Sequence, residues 1–273
     1  MQILYVVSTP IGNLEDVTIR ALRILGEVDL IAAEDTRVTH RLLDRYNITT
    51  PSTSYNEHNS RTKIPSLLAK LGTGDIALVS DAGMPGINDP GAELVRAAVE
   101  AGFTVLSVPG PSALTTALSV SGMNIDQFVY LGFLPKKQSG RLKLLRSTAS
   151  EKRCLLLLET PHRLRDALID IADSLGDREL AICRELTKLH EEVFRGSASE
   201  ALCHFNRPRG EFTIVVEGNK EQPVPELDQS KVRSRLSALR ANGVRAKDAV
   251  PKVANETGLP KRSVYRLWLE IHS

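Results

Sequence analysis

The feature that most constrains how this chain can fold is an alternation, sustained over most of its length, between runs of Ile, Leu and Val and segments of helical period. Such a pattern predicts α/β units, in which helices cover the faces of a hydrophobic sheet. Gln2–Ser8 reads as a strand, Val17–Leu25 as a helix and Val28–Ala33 as a strand. Helices are expected over Arg37–Tyr46 and Arg61–Leu71, then strand 76–80, helix Pro90–Ala101 and strand 104–108. The turn-rich VPGPS at 108–112 offers a domain boundary. A second cycle follows: a helix after Pro111, strand 128–133, helix Arg141–Ser147, strand 154–159 and a helix from Pro161 to Leu175. Strands near Leu180–Leu186 and Glu191–Gly196, a short helix over Glu200–Phe205 and EFTIVVEG at 211–218 complete it.

The expected fold class is therefore α/β, with two α/β domains at 1–110 and 111–220, a polar linker at 221–229 and a helical region at 230–273. Two α/β domains can form a cleft between them, a common place for a cofactor. The terminal region reads as helices over Lys231–Ala241, Asp248–Thr257 and Lys261–Ile271, with the turn GLP before the last. Val264, Leu267, Trp268 and Ile271 share one face of that last helix.

Composition narrows the class of protein. No stretch approaches the length of a membrane span, and MQILYVVSTP reads as a first strand rather than a leader, so a soluble cytoplasmic protein without membrane association is expected. Cys154, Cys183 and Cys203 lack C-x-x-C spacing and sit in or beside apolar segments. Buried thiols, a reducing compartment and no structural metal follow. Net charge is only +2, but its distribution is uneven: residues 230–273 carry 10 Lys or Arg against 3 Asp or Glu, whereas 1–229 carry 25 against 30. A basic end on an acidic body suits nucleic-acid phosphates, although ordinary helix surface would read the same way.

The sharpest local feature is IALVSDAGMPGINDPG. Gly83, Gly86 and Gly91 permit close backbone approach, and Pro85 and Pro90 restrict the alternatives, a combination suited to holding a ligand at the carboxyl edge of a sheet. Asp81 can accept hydrogen bonds from a ligand, or cap backbone amides in a rigid turn, while Asp89 is placed to cap the next helix. Neither STPIGN at 8–13 nor the Asp81 loop supplies G-x-G-x-x-G after the first strand, and G-x-x-x-x-G-K-[ST] is absent, so dinucleotide and P-loop sites are both disfavoured.

Taken in order, STPIGNLEDVTIRAL, AAEDTR, SDAGMPGINDPG, VPGPSAL, GFLP, ETPHRL, RELTK and GEFTIVVEG resemble the tetrapyrrole-methylase superfamily. Within it, they resemble the bacterial ribosomal RNA small subunit methyltransferase I family, over nearly all of the chain. The resemblance implies two α/β domains with S-adenosylmethionine in their cleft, a homodimer, and methylation of the 2′-hydroxyl of a cytidine in small-subunit (16S) ribosomal RNA. It places Asp81, Ala82, Gly83, Pro109, Gly110, Ser112, Ala113, Phe133, Leu134 and Thr213 at the cofactor, and Pro10 and Gly12 at the active mouth. Two departures stand out: Met84 occupies the threonine position of the SDAGTP pattern, and ETPHRL varies on E-S-x-H-R.

Transfer to a ribose oxygen also requires a proton acceptor. Glu34, Asp35 and Arg37 in AAEDTR are candidates for proton or substrate handling, though pairing and helix capping explain the same run. Glu159, His162 and Arg163, and Arg184 with Lys188, are candidates for the cleft rim, with structural networks as the rival account. Lys136, Lys137 and Arg141 open a basic segment reaching Arg153 that can guide a phosphate backbone, as can Lys261, Arg262 and Arg266 in the last helix. The alternatives to this reading are a tetrapyrrole C-methyltransferase and a non-enzymatic RNA-binding protein.

Overall fold

A computed structural model describes residues 2–220, 229–257, 259 and 261–271; of Gln229, Ser230 and Arg262 it describes the backbone alone. Residues 221–228 of the expected linker at 221–229, and most of the GLP turn, therefore lie outside the described residues, and Gln229 begins a helix. The chain divides into two compact units, Met1–Asn219 and Lys220–Ser273, and both sheets belong to the first.

The first sheet is wholly parallel. It is built from β1 (Ile3–Val7), β2 (Leu30–Ala33), β3 (Ser52–Ser54), β4 (Ile76–Val79) and β5 (Thr104–Val108), in the order β3-β2-β4-β1-β5. Parallel strands need helical crossovers on both faces. On one face α1 (Ile19–Glu27) and α2 (Thr36–Arg45) bury Ile24, Leu25, Leu42 and Leu43. On the other, α3 (Ser60–Leu71) and α4 (Gly91–Glu100) bury Leu67, Leu71, Leu94 and Ala98. Burial on both faces explains why β4 reads IALV without alternation. The connections leave adjacent strands β1 and β4 in opposite directions, and this topological switch opens a crevice at their carboxyl ends.

The second sheet is mixed, in the order β6-β7-β10-β8-β9. Its strands are β6 (Phe128–Phe133), β7 (Cys154–Glu159), β8 (Glu179–Arg184), β9 (Glu192–Ser197) and β10 (Phe212–Val216). Helices α6 (Gln138–Ser147), α7 (Pro161–Leu175) and α8 (Ala198–His204) pack on one face through Leu145, Leu164, Leu168, Ile171 and Ala201. The opposite face is covered by α5 (Ala113–Ser121), through Ala117 and Leu118, and by Ile11 from the loop after β1. Thus one residue of the first sheet's loop is part of the second sheet's core.

Strand β3 has no counterpart among the expected elements because Ser52–Ser54 carries no apolar signal; only pairing with Ile31–Ala33 defines it. The expectation of three buried thiols is corrected at one position: Cys154 and Cys183 are buried, but Cys203 is exposed. Ala198 and Ala201 form the buried face of α8, and a residue two places beyond Ala201 points elsewhere on a helix of 3.6-residue period.

In the second unit, α9 (Gln229–Ala241), α10 (Ala246–Thr257) and α11 (Lys261–Glu270) enclose Leu236, Val253, Val264 and Trp268. Leu267 and Ile271 pack against the same core, as their shared face predicts. The Arg240 guanidinium lies 5.0 Å from the centre of the Trp268 ring. Among the described residues no helix is long and apolar enough to cross a membrane, and no group of His, Cys, Asp and Glu is placed to hold a metal ion.

Candidate active site

The crevice at β1 and β4 opens into a cavity of about 340 Å³ whose other wall is formed by β6, β7, β8 and β10 of the second sheet. The loop after β4 shapes the near wall. Gly83 exchanges backbone hydrogen bonds of 2.9 and 3.0 Å with Thr9, and does so at a φ of +81°, a conformation natural only to glycine. The Asp89 carboxylate accepts from the amides of Gly86 (2.8 Å) and Gly91 (2.7 Å), so it closes the loop onto the start of α4, the capping role expected of it. Asn88 donates to the Tyr130 hydroxyl and ties this loop to β6.

Glu34 and Asp81 hold the two strand ends together. The Asp81 amide donates to Glu34 Oε2 (3.1 Å), and the Asp35 amide donates to Asp81 Oδ1 (2.9 Å). Burial pushes the Glu34 carboxyl above the usual range, and the neighbouring charges of Asp81, Asp89 and Asp35 push it further against the Asp81 amide bond. Asp81 is raised in the same way, by burial first and then by Asp35. Asp35 goes the other way, to about 2, because its carboxylate accepts from the Arg37 side chain and amide. It caps α2 and pairs with Arg37 Nη2 at 2.6 Å. Of the three residues read from AAEDTR, only Glu34 lines the cavity.

Asp81, Ala82, Gly83, Ser112, Ala113, Phe133 and Thr213 also line it. Leu134 does not: after the bulge between Tyr130 and Gly132 successive side chains diverge, so Phe133 reaches the cavity while Leu134 enters the core. Pro109 and Gly110 are not among the residues of the wall. The Ser8 hydroxyl donates to the Pro111 carbonyl (2.6 Å), and Gly110 leaves room for Ser8, whose Cβ would lie 3.1 Å from a Cβ at that position. Pro10 is buried, Ile11 between it and Gly12 supplies the lining, and Gly12 is where RELTK crosses. A Cβ at Gly12 would meet Lys188 Cγ at 2.5 Å and Thr187 Oγ1 at 2.8 Å, and the next amide, Asn13, donates to Thr187 Oγ1.

The remaining candidates divide. Glu159 lines the cavity; Arg163 donates to the Leu134 and Pro135 carbonyls, and His162 is exposed at the start of α7. Arg184 donates to the Arg209 carbonyl and Glu192, while Lys188 bridges Glu185 and Glu211, so both are engaged in internal networks. Lys136 and Lys137 are exposed. Arg141 is not: it is 6% exposed and its Nε lies 2.7 Å from the buried Asp170 carboxylate, so its charge is turned into the fold rather than toward a phosphate. Its position on the inner side of α6, in line with Leu145, is the reason. Lys261 and Arg266 are exposed on α11, and the Arg262 side chain lies outside the described residues.

Several lining residues are not singled out by the sequence: Tyr130 and Cys183 lie outside every motif, while Ile87, Leu114, Glu211 and Phe212 lie inside SDAGMPGINDPG, VPGPSAL and GEFTIVVEG without standing out there. Most are apolar or belong to strands whose pairing the sequence does not disclose. Glu211, inside GEFTIVVEG, was the accessible one.

A parallel sheet and a mixed sheet sharing a cavity behind a glycine-rich loop define a class. Residues 3–202 match the family described as Tetrapyrrole (Corrin/Porphyrin) Methylases. Two solved structures of uroporphyrin-III C-methyltransferase from Thermus thermophilus share the fold. One superposes with a TM-score of 0.60 at 18% identity, covering 79% of this chain and 97% of that one, and the other with 0.58 at 19%, covering 79% and 94%. Relatives at higher identity narrow the class. The ribosomal RNA small subunit methyltransferase I of Synechocystis sp. is 48% identical over 100% of this chain and 99% of its own length. That of Bacillus subtilis is 43% identical, covering 97% and 93%, and that of Thermotoga maritima 51% over 80% of this chain and 99% of its own. The chain belongs to the ribosomal RNA small subunit methyltransferase I family.

Proposed function

We propose that this protein transfers a methyl group from S-adenosylmethionine to the ribose 2′-hydroxyl of a cytidine in small-subunit (16S) ribosomal RNA. One observation carries the choice of donor. Among the described residues, the cavity wall holds five carboxylates, Glu34, Asp81, Asp89, Glu159 and Glu211, and no Lys, Arg or His. Such a wall repels the phosphates of a dinucleotide and favours an ammonium and a sulfonium. Apolar residues beside the carboxylates, including Ile11, Ile87, Leu114 and Phe133, suit a purine.

When bound, the donor supplies a methyl group already activated by its sulfonium, so orientation of the ribose oxygen is the protein's main contribution. Asp81, anchored through the Asp35 amide, faces the donor's cationic half. Glu34 is the group assigned to proton uptake, since burial raises its affinity for a proton while it remains on the cavity wall. RNA phosphates stay outside: Lys136, Lys137, Lys143 and Arg146 are exposed on and before α6, and Lys261 and Arg266 on α11. Assembly as a homodimer of the 29.9 kDa chain belongs to the same proposal and is checked by light scattering.

Incubation with labelled S-adenosylmethionine and small ribosomal subunits, followed by nucleotide mapping, tests the reaction. Label on a cytidine 2′-oxygen is expected; label on a base atom, or on a tetrapyrrole carbon with none in RNA, overturns the assignment. Asp81→Ala is expected to lose donor affinity in calorimetry while keeping its fold by circular dichroism.

A further inference from the structure

Two loops meet where the cavity opens. Glu211 belongs to the cavity wall yet keeps its side chain 77% exposed, so it stands at the opening. The chain reaches it through Arg207, Pro208, Arg209 and Gly210, and this stretch is fastened to the loop that follows β8. Arg184 Nε donates to the Arg209 carbonyl at 2.8 Å, the Glu185 amide to the Glu211 carbonyl at 3.0 Å, and the Glu211 amide to Glu185 Oε1 at 2.9 Å. Gly210 permits the close approach, since a Cβ there would collide with the Glu185 side chain. The loop after β8 is strained: Glu185 and Thr187 hold φ of +51° and +66°, left-handed values unusual for any residue but glycine and most of all for a β-branched one. Its surroundings hold it there. The Thr187 amide donates to Glu191 Oε2 (2.9 Å), the Lys188 amide to the Glu185 carbonyl (3.0 Å) and the Asn13 amide to Thr187 Oγ1 (3.0 Å), while Lys188 Nζ bridges Glu185 and Glu211. Strain maintained in this way is concentrated at ligand clamps and active sites.

What this rim offers is charge and one apolar side chain. Its acids are already engaged, Glu185 and Glu211 by Lys188, Glu191 by the Thr187 amide, and Glu192 by Arg184 and His204. Arg207 and Arg209 are exposed, and neither forms an ion pair among the described residues. Leu189, on the strained loop, is 93% exposed, more than any other large hydrophobic side chain among the described residues. The carboxylates of the cavity wall repel phosphate, so a ribose that enters must leave its flanking phosphates at the opening, where the two guanidiniums stand. A guanidinium matches a phosphate bidentately, and a stiffly presented aliphatic side chain packs against bases whose stack has been opened. We infer that this rim is the entry site of the RNA strand: Arg207 and Arg209 hold the phosphates beside the target nucleotide, and Leu189 packs on the neighbouring base and keeps it out of the cavity. The inference rests on the reading of small-subunit RNA as the substrate.

The test uses the full chain and small ribosomal subunits. In filter binding, the double variant Arg207→Gln with Arg209→Gln should bind more weakly, and its slope of log K against log salt should fall by about 1.4–1.8, the amount for two phosphates no longer neutralised. Arg207→Lys with Arg209→Lys should restore the slope, and Arg96→Gln, exposed on α4, should leave it as it is. Leu189→Ala should keep both the slope and the affinity for S-adenosylmethionine, while kcat/KM for methyl transfer to the subunits falls about tenfold, the scale of burying an aliphatic side chain. Leu189→Met should recover the rate. All three side chains are exposed, so circular dichroism should show the parental fold in each variant. An unchanged salt slope in the double glutamine variant, or a Leu189→Ala protein that methylates as the parent does, overturns the inference. So does a Leu189→Ala protein that loses self-association in light scattering with its RNA binding and methyl transfer intact, which makes the rim an interface between two copies of the chain. A parent protein that transfers no methyl group to RNA brings down the substrate reading itself, and this inference with it.

Discussion

Gly12 shows how a single missing side chain lets two segments cross. Lys188 Cγ, Thr187 Oγ1 and the Leu186 carbonyl all lie within 3.0 Å of where its Cβ would stand, so Gly12→Ala must push RELTK away from the first loop. Thermal or urea denaturation should show a loss of about 1–3 kcal/mol, the range of an overpacked site. Asp170 is a second case. Its carboxylate holds Arg141 Nε at 2.7 Å and Gln138 Nε2 at 3.0 Å, and Asp170→Ala strands a buried guanidinium, at a cost of about 3–5 kcal/mol by the same measurement. A change confined to the titration of surface groups would leave stability nearly unaltered and contradict the burial. Glu34 and Asp81 carry the pH dependence. Both carboxyls are raised in the folded protein, so the stability they contribute is fully present below their unfolded values and is lost as pH rises through the raised ones. A cationic donor favours their ionised forms. Its binding is therefore expected to release protons in the mildly acidic range and to weaken as pH falls, which calorimetry in buffers of differing ionisation enthalpy detects.

At the scale of elements, charge has to be separated into paired and offered. Arg233 pairs with Glu270, and Arg235 with Glu256, across the helices of the second unit, whereas Lys261 and Arg266 are exposed on α11 and form no such pair with an acid among the described residues. Replacing Lys261 and Arg266 with Gln should lower RNA affinity and reduce the dependence of log K on log salt by about 0.7–0.9 for each phosphate no longer neutralised. Arg235→Gln should change the slope little. An unchanged slope in the Lys261 and Arg266 double variant would remove α11 from the RNA surface. The elements differ in how far the sequence discloses them. Strands β5, β6 and β7 and helix α7 are found at the boundaries their aliphatic runs and Pro161 predict, because β-favouring side chains and a fixed N-terminal φ leave local signals. Strand β3 and the first turn of α6 leave none, since polar residues take their conformation from what they pair with or follow.

For the whole molecule, the division at Asn219 has a functional consequence. Among the described residues, all those of the cavity wall precede it, and the Thermotoga maritima relative is matched over 99% of its length by 220 residues. A chain ending at Asn219 is expected to bind the methyl donor within about twofold of the full protein, as additivity of independent sites requires, while its RNA affinity falls; filter binding and calorimetry measure the two separately. The sequence by itself determined the class of fold, through alternating aliphatic and helical-period segments, and the family, through an ordered set of loops in which glycine and proline leave few backbone choices. It also determined which loop lines the cavity, because Gly83 and Asp81 stand at positions set by the strand immediately before them. Only the tertiary structure decided which charges face which way. Lys136 and Arg141 read alike in sequence, yet one meets solvent and the other Asp170; Glu34 and Asp35 are adjacent, yet one lines the cavity and the other caps a helix. The physical reason is that a side chain's environment depends on the partner elements packed against it, and those come from distant parts of the chain.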